Sequence, residues 1–131
     1  MLYNYILAII VLHFIGDWLL QSRWMGNNKS KFNVEGWQAW AIHTLTYTIT
    51  MLAGISIFSY IYDYNTFVSV VIPQWVLLNG LLHGIQDKIT SNITHKLFEQ
   101  KKEHGFFTVI GFDGMLHYLT LFISARLMLG L

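Results

Sequence analysis

This sequence of 131 residues has no cysteine, a single proline and few charged side chains, which make up 11% of the chain. Without cysteine, the protein has no disulfide bonds, no thiolate metal ligands and no thiol nucleophile. The low charge argues against an ordinary soluble domain, in which about 25% of residues are charged. The net charge of +1 gives no reason to expect a nucleic-acid partner.

The sequence is instead rich in apolar and aromatic residues. Hydrophobic residues make up 54% of the chain, and its five tryptophans and seven tyrosines are of the kind that concentrates at membrane interfaces. A helix needs about 20 apolar residues to cross a bilayer. Such stretches lie at residues 2–22, 37–60, 67–88 and 106–130. We therefore predict an all-α integral membrane protein, with residues 1–131 forming one four-helix transmembrane bundle.

The basic residues of the connections predict the orientation in the membrane. The connections at residues 23–35 and 88–105 carry seven of the eight lysines and arginines, whereas the connection at residues 62–66 carries none. Basic connections stay on the cytoplasmic side, so both termini are expected on the other side of the cytoplasmic (inner) membrane. Residues 89–103 also space their apolar side chains as an amphipathic helix does. An interfacial helix and a plain polar loop both fit this segment.

Ionisable residues recur inside the predicted helices in a regular pattern. Each such residue in hydrocarbon costs at least about 2.5 kcal/mol, so each needs a reason. Three predicted helices carry a histidine and an aspartate four residues apart, which places both on one helix face, and the second helix carries a histidine. Counted from the basic connections at about 1.5 Å per residue, all of these residues fall at a similar depth. They are His13, Asp17, His43, His83, Asp87, Asp113 and His117.

Four imidazoles and three carboxylates form the ligand set of a divalent metal. Zinc is the first expectation, manganese and iron are alternatives, and one ion or two would fit this set. A dication would also offset the repulsion between the carboxylates. Gln21 and Asn79 continue the same helix faces and are expected to orient ligands. Arg23 and Lys29 are candidates for binding a substrate head group, alongside an ordinary positive-inside role. Hydrogen bonds that only hold the helices together remain an alternative for the whole set.

The motifs that carry these residues resemble a known family. HFIGDWLLQSRWMGNNK, HGIQDK and FDGMLH, with His43 between the first two, resemble the small phage and bacterial membrane proteins collected as domain of unknown function 3307. The chain is more distantly similar to the YdjM-like membrane-bound metal-dependent hydrolases. The resemblance spans the whole chain and implies a four-helix membrane protein with a metal site, but no substrate. Its pattern falls on His13, Gly16, Asp17, Gln21, Lys29, His43, His83, Asp87, Asp113 and His117, and Gly114 departs from it where glutamine is expected.

Several functions are compatible with this pattern. The preferred hypothesis is a metal-dependent hydrolase that acts near the cytoplasmic face on a lipid or another amphiphile. Asp17, Asp87 and Asp113 are its catalytic candidates, and one that is not a ligand would act as general base. The main alternative is a transporter or channel that passes protons or a divalent cation through the same layer. A non-enzymatic phage membrane effector and a haem held by two histidines are further alternatives, and a monomer and a homodimer both fit the chain.

Overall fold

A computed structural model describes residues 2–62 and 71–130, which are almost entirely helical. The predicted connection beyond Tyr62, and the predicted start of the third helix up to residue 70, lie outside the described residues. The helical elements are α1 (Leu2–Phe14), a π-helical turn (Ile15–Leu19), α2 (Arg23–Asn28), α3 (Val34–Tyr62), α4 (Val71–Glu99) and α5 (Glu103–Leu129).

The predicted helices 37–60 and 106–130 begin three residues earlier in the structure, at Val34 and Glu103, and two larger differences lie elsewhere. The first predicted helix, residues 2–22, ends early because the π-helical turn closes on a hydrogen bond from Leu20 N–H to the Ile15 carbonyl, and Ser22 then caps the short α2 by accepting from Met25 N–H. The segment 89–103 is mostly a continuation of α4 to Glu99. It contains no glycine or proline to stop the helix, and Phe98 packs on Phe106 of α5 with ring centroids 5.7 Å apart.

The helices α1, α3, α4 and α5 form a ring in chain order. α4 packs between α3 and α5, α1 packs on α3 and closes the ring by touching α5, and the short α2 lies against α3. The basic end of the bundle is where residues 20–33 meet α4, as shown by the hydrogen bond from Asn92 Nδ2 to the Ser30 carbonyl. Toward the opposite end lies the apolar core, made of Ile9, Tyr47, Met51, Ile55, Ile72, Trp75, Val76, Leu121 and Ala125.

The bundle buries polar groups and exposes apolar ones. Four histidines, two aspartates and two lysines lie among the buried residues, whereas many leucines, isoleucines and aromatic residues are exposed. α3 and α5 are each long and apolar enough to cross a membrane. Only 22% of the most apolar 18-residue stretch of α3, and 11% of that of α5, is buried. Their apolar faces therefore point outward, unlike those of a core helix in a soluble protein.

Glycines bring α3 and α4 close together. Trp40 Nε1 of α3 donates to the Gly84 carbonyl of α4 at 2.6 Å, and a Cβ added at Gly84 would lie 2.7 Å from Thr44 Oγ1. A Cβ added at Gly80 would overlap Thr48. Gly114 on α5 differs, because an added Cβ there would meet nothing within 4 Å. Close packing therefore depends on the glycines of α4 and not on Gly114.

Replacing Gly84 with alanine should push α3 and α4 apart and lower the free energy of unfolding by about 1–3 kcal/mol, the usual cost of overpacking. The matched Gly114→Ala variant should be neutral or slightly stabilising, because alanine favours a helix over glycine. Unfolding in mixed detergent micelles, followed by the helical circular dichroism signal, measures both. Equal losses in the two variants would contradict the close approach at Gly84.

Candidate metal centre

Asp17 is the residue through which the polar layer joins α1, α3 and α4. Its Oδ1 lies 3.3 Å from His43 Nε2 on α3 and 3.6 Å from His83 Nε2 on α4. Its Oδ2 lies 3.7 Å from His13 Nε2, one turn earlier on the first helix. The two oxygens of one carboxylate thus face different histidines. A carboxylate that is shared between two metal sites can be arranged in this way.

The other aspartates and histidines extend this layer in both directions. His43 Nε2 lies 3.2 Å from His83 Nε2 and 3.5 Å from Asp87 Oδ2. Two buried triads, each with ligand atoms within 4.8 Å of one another, result from these contacts. They are His13, Asp17 and His83, and His43, His83 and Asp87.

The donor set could hold a divalent cation. A neutral imidazole has one N–H, so His43 Nε2 can satisfy at most one of the groups that converge on it. His43 Nδ1 and Asp87 Oδ2 are buried without a hydrogen-bond partner. Two ligands of a tetrahedral zinc, each about 2.0–2.1 Å from the metal, lie about 3.3 Å apart. The separations of 3.2 and 3.3 Å around His43 are close to that value.

The π-helical turn places Asp17 in the layer. Ile15–Leu19 forms the turn, and Gly16 within it lies against Tyr47 of α3, since an added Cβ would be 3.2 Å from Tyr47 Cδ2. Turns of this type are rare and concentrate at functional sites. The spacing of His13 and Asp17 predicts that both share a face, but it does not predict this change of helix type.

Tyr47 supports two of the histidines and was not predicted as a site residue. Its hydroxyl lies 3.2 Å from His13 Nδ1, and its ring stacks on His83 with centroids 3.8 Å apart and planes 8° from parallel. Tyr47 therefore fixes the orientation of both imidazoles. The signal in the sequence is its position four residues after His43, the spacing that also links the histidines and aspartates.

Asp113 and His117 on α5 form the far side of the layer. His117 Nδ1 lies 3.1 Å from His83 Nδ1, and its Nε2 lies 3.2 Å from Asp113 Oδ1. Asp113 Oδ1 also accepts a hydrogen bond from Thr90 Oγ1 at 2.6 Å. Asp113 belongs to neither triad, and its side chain is 19% exposed, against 4% for that of Asp87. Of the three aspartates, Asp113 is therefore the one whose position least favours coordination of a metal.

Lys29 reaches the layer from the connection between α2 and α3. Its Nζ donates to Asp87 Oδ1 at 2.7 Å and lies 3.4 Å from His43 Nε2. Lys88 holds this connection in place, because its own Nζ donates to the carbonyls of Lys29 at 2.7 Å and Lys31 at 2.6 Å. The Lys29 side chain is buried, and its charge offsets part of that of the carboxylates.

A cavity of about 370 Å³ joins the layer to the basic end of the bundle. Its inner wall carries the charged groups of the layer, and polar side chains such as those of Gln21 and Ser91 follow along its length. Aromatic and aliphatic side chains line it as well, and two of them, Trp18 and Phe98, are exposed. The charged and apolar lining residues are Asp17, Lys29, Asp87, Asp113, Trp18, Phe98, Phe106 and Ile110.

Two other predicted site residues lie away from the layer. Asn79 donates to the Trp75 carbonyl at 2.8 Å and accepts from Ser124 Oγ at 3.0 Å, so its hydrogen bonds fall one turn toward the apolar core. Arg23 is exposed at the start of α2 and is not among the residues that line the cavity. Gln21, the other predicted orienting residue, lines the cavity.

The fold and the layer define an all-α protein with a buried cluster of histidines and aspartates able to hold a metal. Comparisons with models of known protein families, with curated proteins and with solved structures find no match to this chain. The functional interpretation therefore depends on the residues themselves.

Replacing His83 with alanine should abolish metal binding, because His83 belongs to both triads. Tyr47→Phe should keep the metal but bind it about 10- to 100-fold more weakly, since only a supporting hydroxyl is lost. Plasma mass spectrometry of the purified protein measures metal content, and competition with a chelator measures affinity. His104→Ala, at an exposed position, is the control and should behave like the parent. Full metal content in folded His83→Ala protein would contradict the assignment.

Proposed function

We propose that this protein is a metal-dependent hydrolase embedded in the cytoplasmic membrane. The exposed apolar faces of α3 and α5 support a membrane location. The basic residues gathered at one end support an orientation with that end in the cytoplasm and both termini on the other side. The proposal includes the resemblance to the domain of unknown function 3307 proteins and to YdjM-like hydrolases.

One observation carries the proposal: the two buried triads lie beside a cavity that leads away from them. The residues that would hold the metal are His13, Asp17, His43, His83 and Asp87. These nitrogen and oxygen ligands suit zinc first, and manganese or iron as well. A divalent metal bound there would supply Lewis-acid chemistry, polarising a carbonyl or phosphoryl oxygen and making water a better nucleophile.

Asp113 is the proposed general base. It lines the cavity and lies outside both triads, and its Oδ1 accepts from Thr90 Oγ1 at 2.6 Å and lies 3.2 Å from His117 Nε2. A carboxylate in this position takes the proton of the attacking water, and later returns a proton to the leaving group. Asp17 and Asp87 are then metal ligands. Of the three catalytic candidates, only Asp113 acts as the general base.

The lining of the cavity supports an amphiphile as substrate. Trp18, on the π-helical turn, and Ile110, on α5, both line it, so the apolar lining comes from two elements. Phe98 and Phe106 add aromatic surface where α4 and α5 approach each other. A lipid would place its apolar part along these side chains and its polar part at the layer.

The apolar core favours hydrolysis over conduction. Between the layer and the opposite end, the described helices bury Ile9, Met51 and Ile55 against Ile72 and Val76 of α4. The buried polar groups of this stretch, such as Asn79, Ser124 and Ser59, are uncharged and are hydrogen-bonded within the bundle. A proton or a divalent cation crossing the bundle would need charged or ionisable partners there. A catalytic site needs access from one side only, and the cavity lies on that side.

Asp113→Asn should keep the metal and lower kcat by about 10²- to 10⁴-fold, because the general base is lost while the ligands remain. Asp87→Asn should lose metal and activity together. The assay is hydrolysis of short-chain carboxylic and phosphate esters of fatty alcohols by protein in detergent, with metal content measured on the same samples. Unchanged kcat in Asp113→Asn would show that this carboxylate is not the base.

Reconstituted into liposomes, the parent protein should pass neither protons nor zinc faster than empty liposomes, because the apolar core closes the path. Fluorescent indicators of pH and of zinc inside the liposomes measure the two fluxes. A flux that appears with the parent and disappears with Asp17→Asn would favour the transporter over the hydrolase.

A further inference from the structure

A lysine ammonium lies among the groups that would bind a metal. Lys29 Nζ donates to Asp87 Oδ1 at 2.7 Å and lies 3.4 Å from His43 Nε2. Asp87 and His43 both belong to the triad that also contains His83. The Lys29 side chain is only 9% exposed, and a buried charge of this kind needs an opposite charge beside it. For Lys29 that opposite charge is supplied by a candidate metal ligand.

The same contacts bring Lys29 close to any metal that this triad holds. An ion bound to His43 Nε2 would lie no more than about 5.5 Å from Lys29 Nζ, because zinc binds an imidazole nitrogen at about 2.1 Å and the ammonium is 3.4 Å from that nitrogen. Two cations this close repel each other strongly in a layer that excludes water. The ammonium and the metal therefore compete for the negative charge of Asp87.

Lys88 shows which part of Lys29 is fixed. Its Nζ donates to the carbonyls of Lys29 and Lys31, and it lies 4.9 Å from the ring centroid of Phe32 and 4.4 Å from that of Trp37. These contacts bind the Lys88 ammonium to the connection and not to the layer. They anchor the backbone of Lys29, so a displacement of Lys29 from Asp87 involves its side chain alone.

The cavity offers a displaced ammonium a place beside other negative charge. Lys29 lines the cavity of about 370 Å³ together with Asp17, Asp87 and Asp113. Asp113 belongs to neither triad, so its carboxylate stays available when Asp87 binds a metal. An ammonium that leaves Asp87 therefore remains close to a carboxylate.

We infer that Lys29 is an intramolecular competitor of the metal. Its ammonium neutralises Asp87 in the metal-free protein, and metal binding displaces it from Asp87 into the cavity. Lys29 thereby stabilises the layer before a metal binds and lowers the affinity of the layer for that metal. This inference rests on the metal site of the proposed function and on no hydrolytic step.

A supporting role for Lys29 predicts the opposite change in affinity. A group that orients a metal ligand through a hydrogen bond strengthens metal binding, and its removal weakens binding about 10- to 100-fold. Removal of a competing cation strengthens binding instead. The sign of the change in affinity therefore separates the two roles.

The experiment measures the zinc affinity of Lys29→Met, which keeps an unbranched side chain but removes its charge. Protein in detergent is stripped with a chelator, and dissociation constants are measured by competition with a zinc-binding dye. Lys31→Met is the matched control, because Lys31 lies in the same connection, carries the same charge and is exposed.

Lys29→Met should bind zinc at least about tenfold more tightly than the parent, because zinc no longer displaces a paired buried charge. Lys31→Met should bind zinc like the parent. Metal-free Lys29→Met should unfold at a lower temperature than the metal-free parent, since Asp87 loses its partner, and zinc should reduce this difference.

A second measurement follows Lys29 in the parent protein and requires no variant. Lysines are labelled by reductive methylation with and without zinc, and peptide mass spectrometry quantifies each site. Zinc should raise the labelling of Lys29 several-fold, because its ammonium leaves Asp87. Lys88 is the internal reference, and its labelling should not change because it stays bound to the two carbonyls.

Zinc binding that is unchanged or weaker in Lys29→Met would overturn the proposal, as would Lys29 labelling that does not rise with zinc. Zinc uptake by neither protein would overturn both this inference and the proposed function. Tighter zinc binding by Lys29→Met, in a protein whose parent hydrolyses no ester, would leave the inference standing and remove the proposed function. Active parent enzyme with weaker zinc binding in Lys29→Met would do the reverse.

Discussion

The gathering of three carboxylates, two of them buried, among four buried imidazoles is the constraint on which the rest of this structure depends. Asp17 and Asp87 converge on His43 within 3.5 Å, and like charges this close repel strongly when they are removed from water. The Lys29 ammonium offsets one of these charges through Asp87. A divalent cation would offset the rest, and the unpaired His43 Nδ1 and Asp87 Oδ2 indicate that the protein alone leaves the layer incompletely satisfied.

The helices are arranged so that this layer can form. The π-helical turn sets Asp17 beside His43, Gly84 lets α4 approach α3, and Tyr47 packs flat on His83. The Lys88 ammonium holds the connection that carries Lys29. On one side the apolar core closes the bundle, and on the other the cavity leads to its basic end. A buried histidine–aspartate layer beside a cavity that is lined by both polar and aromatic groups follows from these placements.

The sequence predicts the all-helical fold and the membership of the layer because both depend on local spacing. A histidine and an aspartate four residues apart share a helix face wherever that helix packs. The same spacing says nothing about contacts between helices, so it does not separate Asp113 from the triads or place Asn79 with Ser124. The burial of Lys29 depends on Lys88, which lies 59 residues later in the chain. The π-helical turn, in which Gly16 lies against Tyr47 of α3, is likewise not indicated by local spacing.

Metal content of the folded parent protein tests the central claim most directly. Protein purified in detergent, stripped with a chelator and then given zinc or manganese should take up one or two equivalents. X-ray absorption at the metal edge should show nitrogen and oxygen ligands with imidazole scattering, and no sulfur. Folded parent protein that is purified without metal and takes up none would contradict a metal centre and leave the layer as a network of hydrogen bonds.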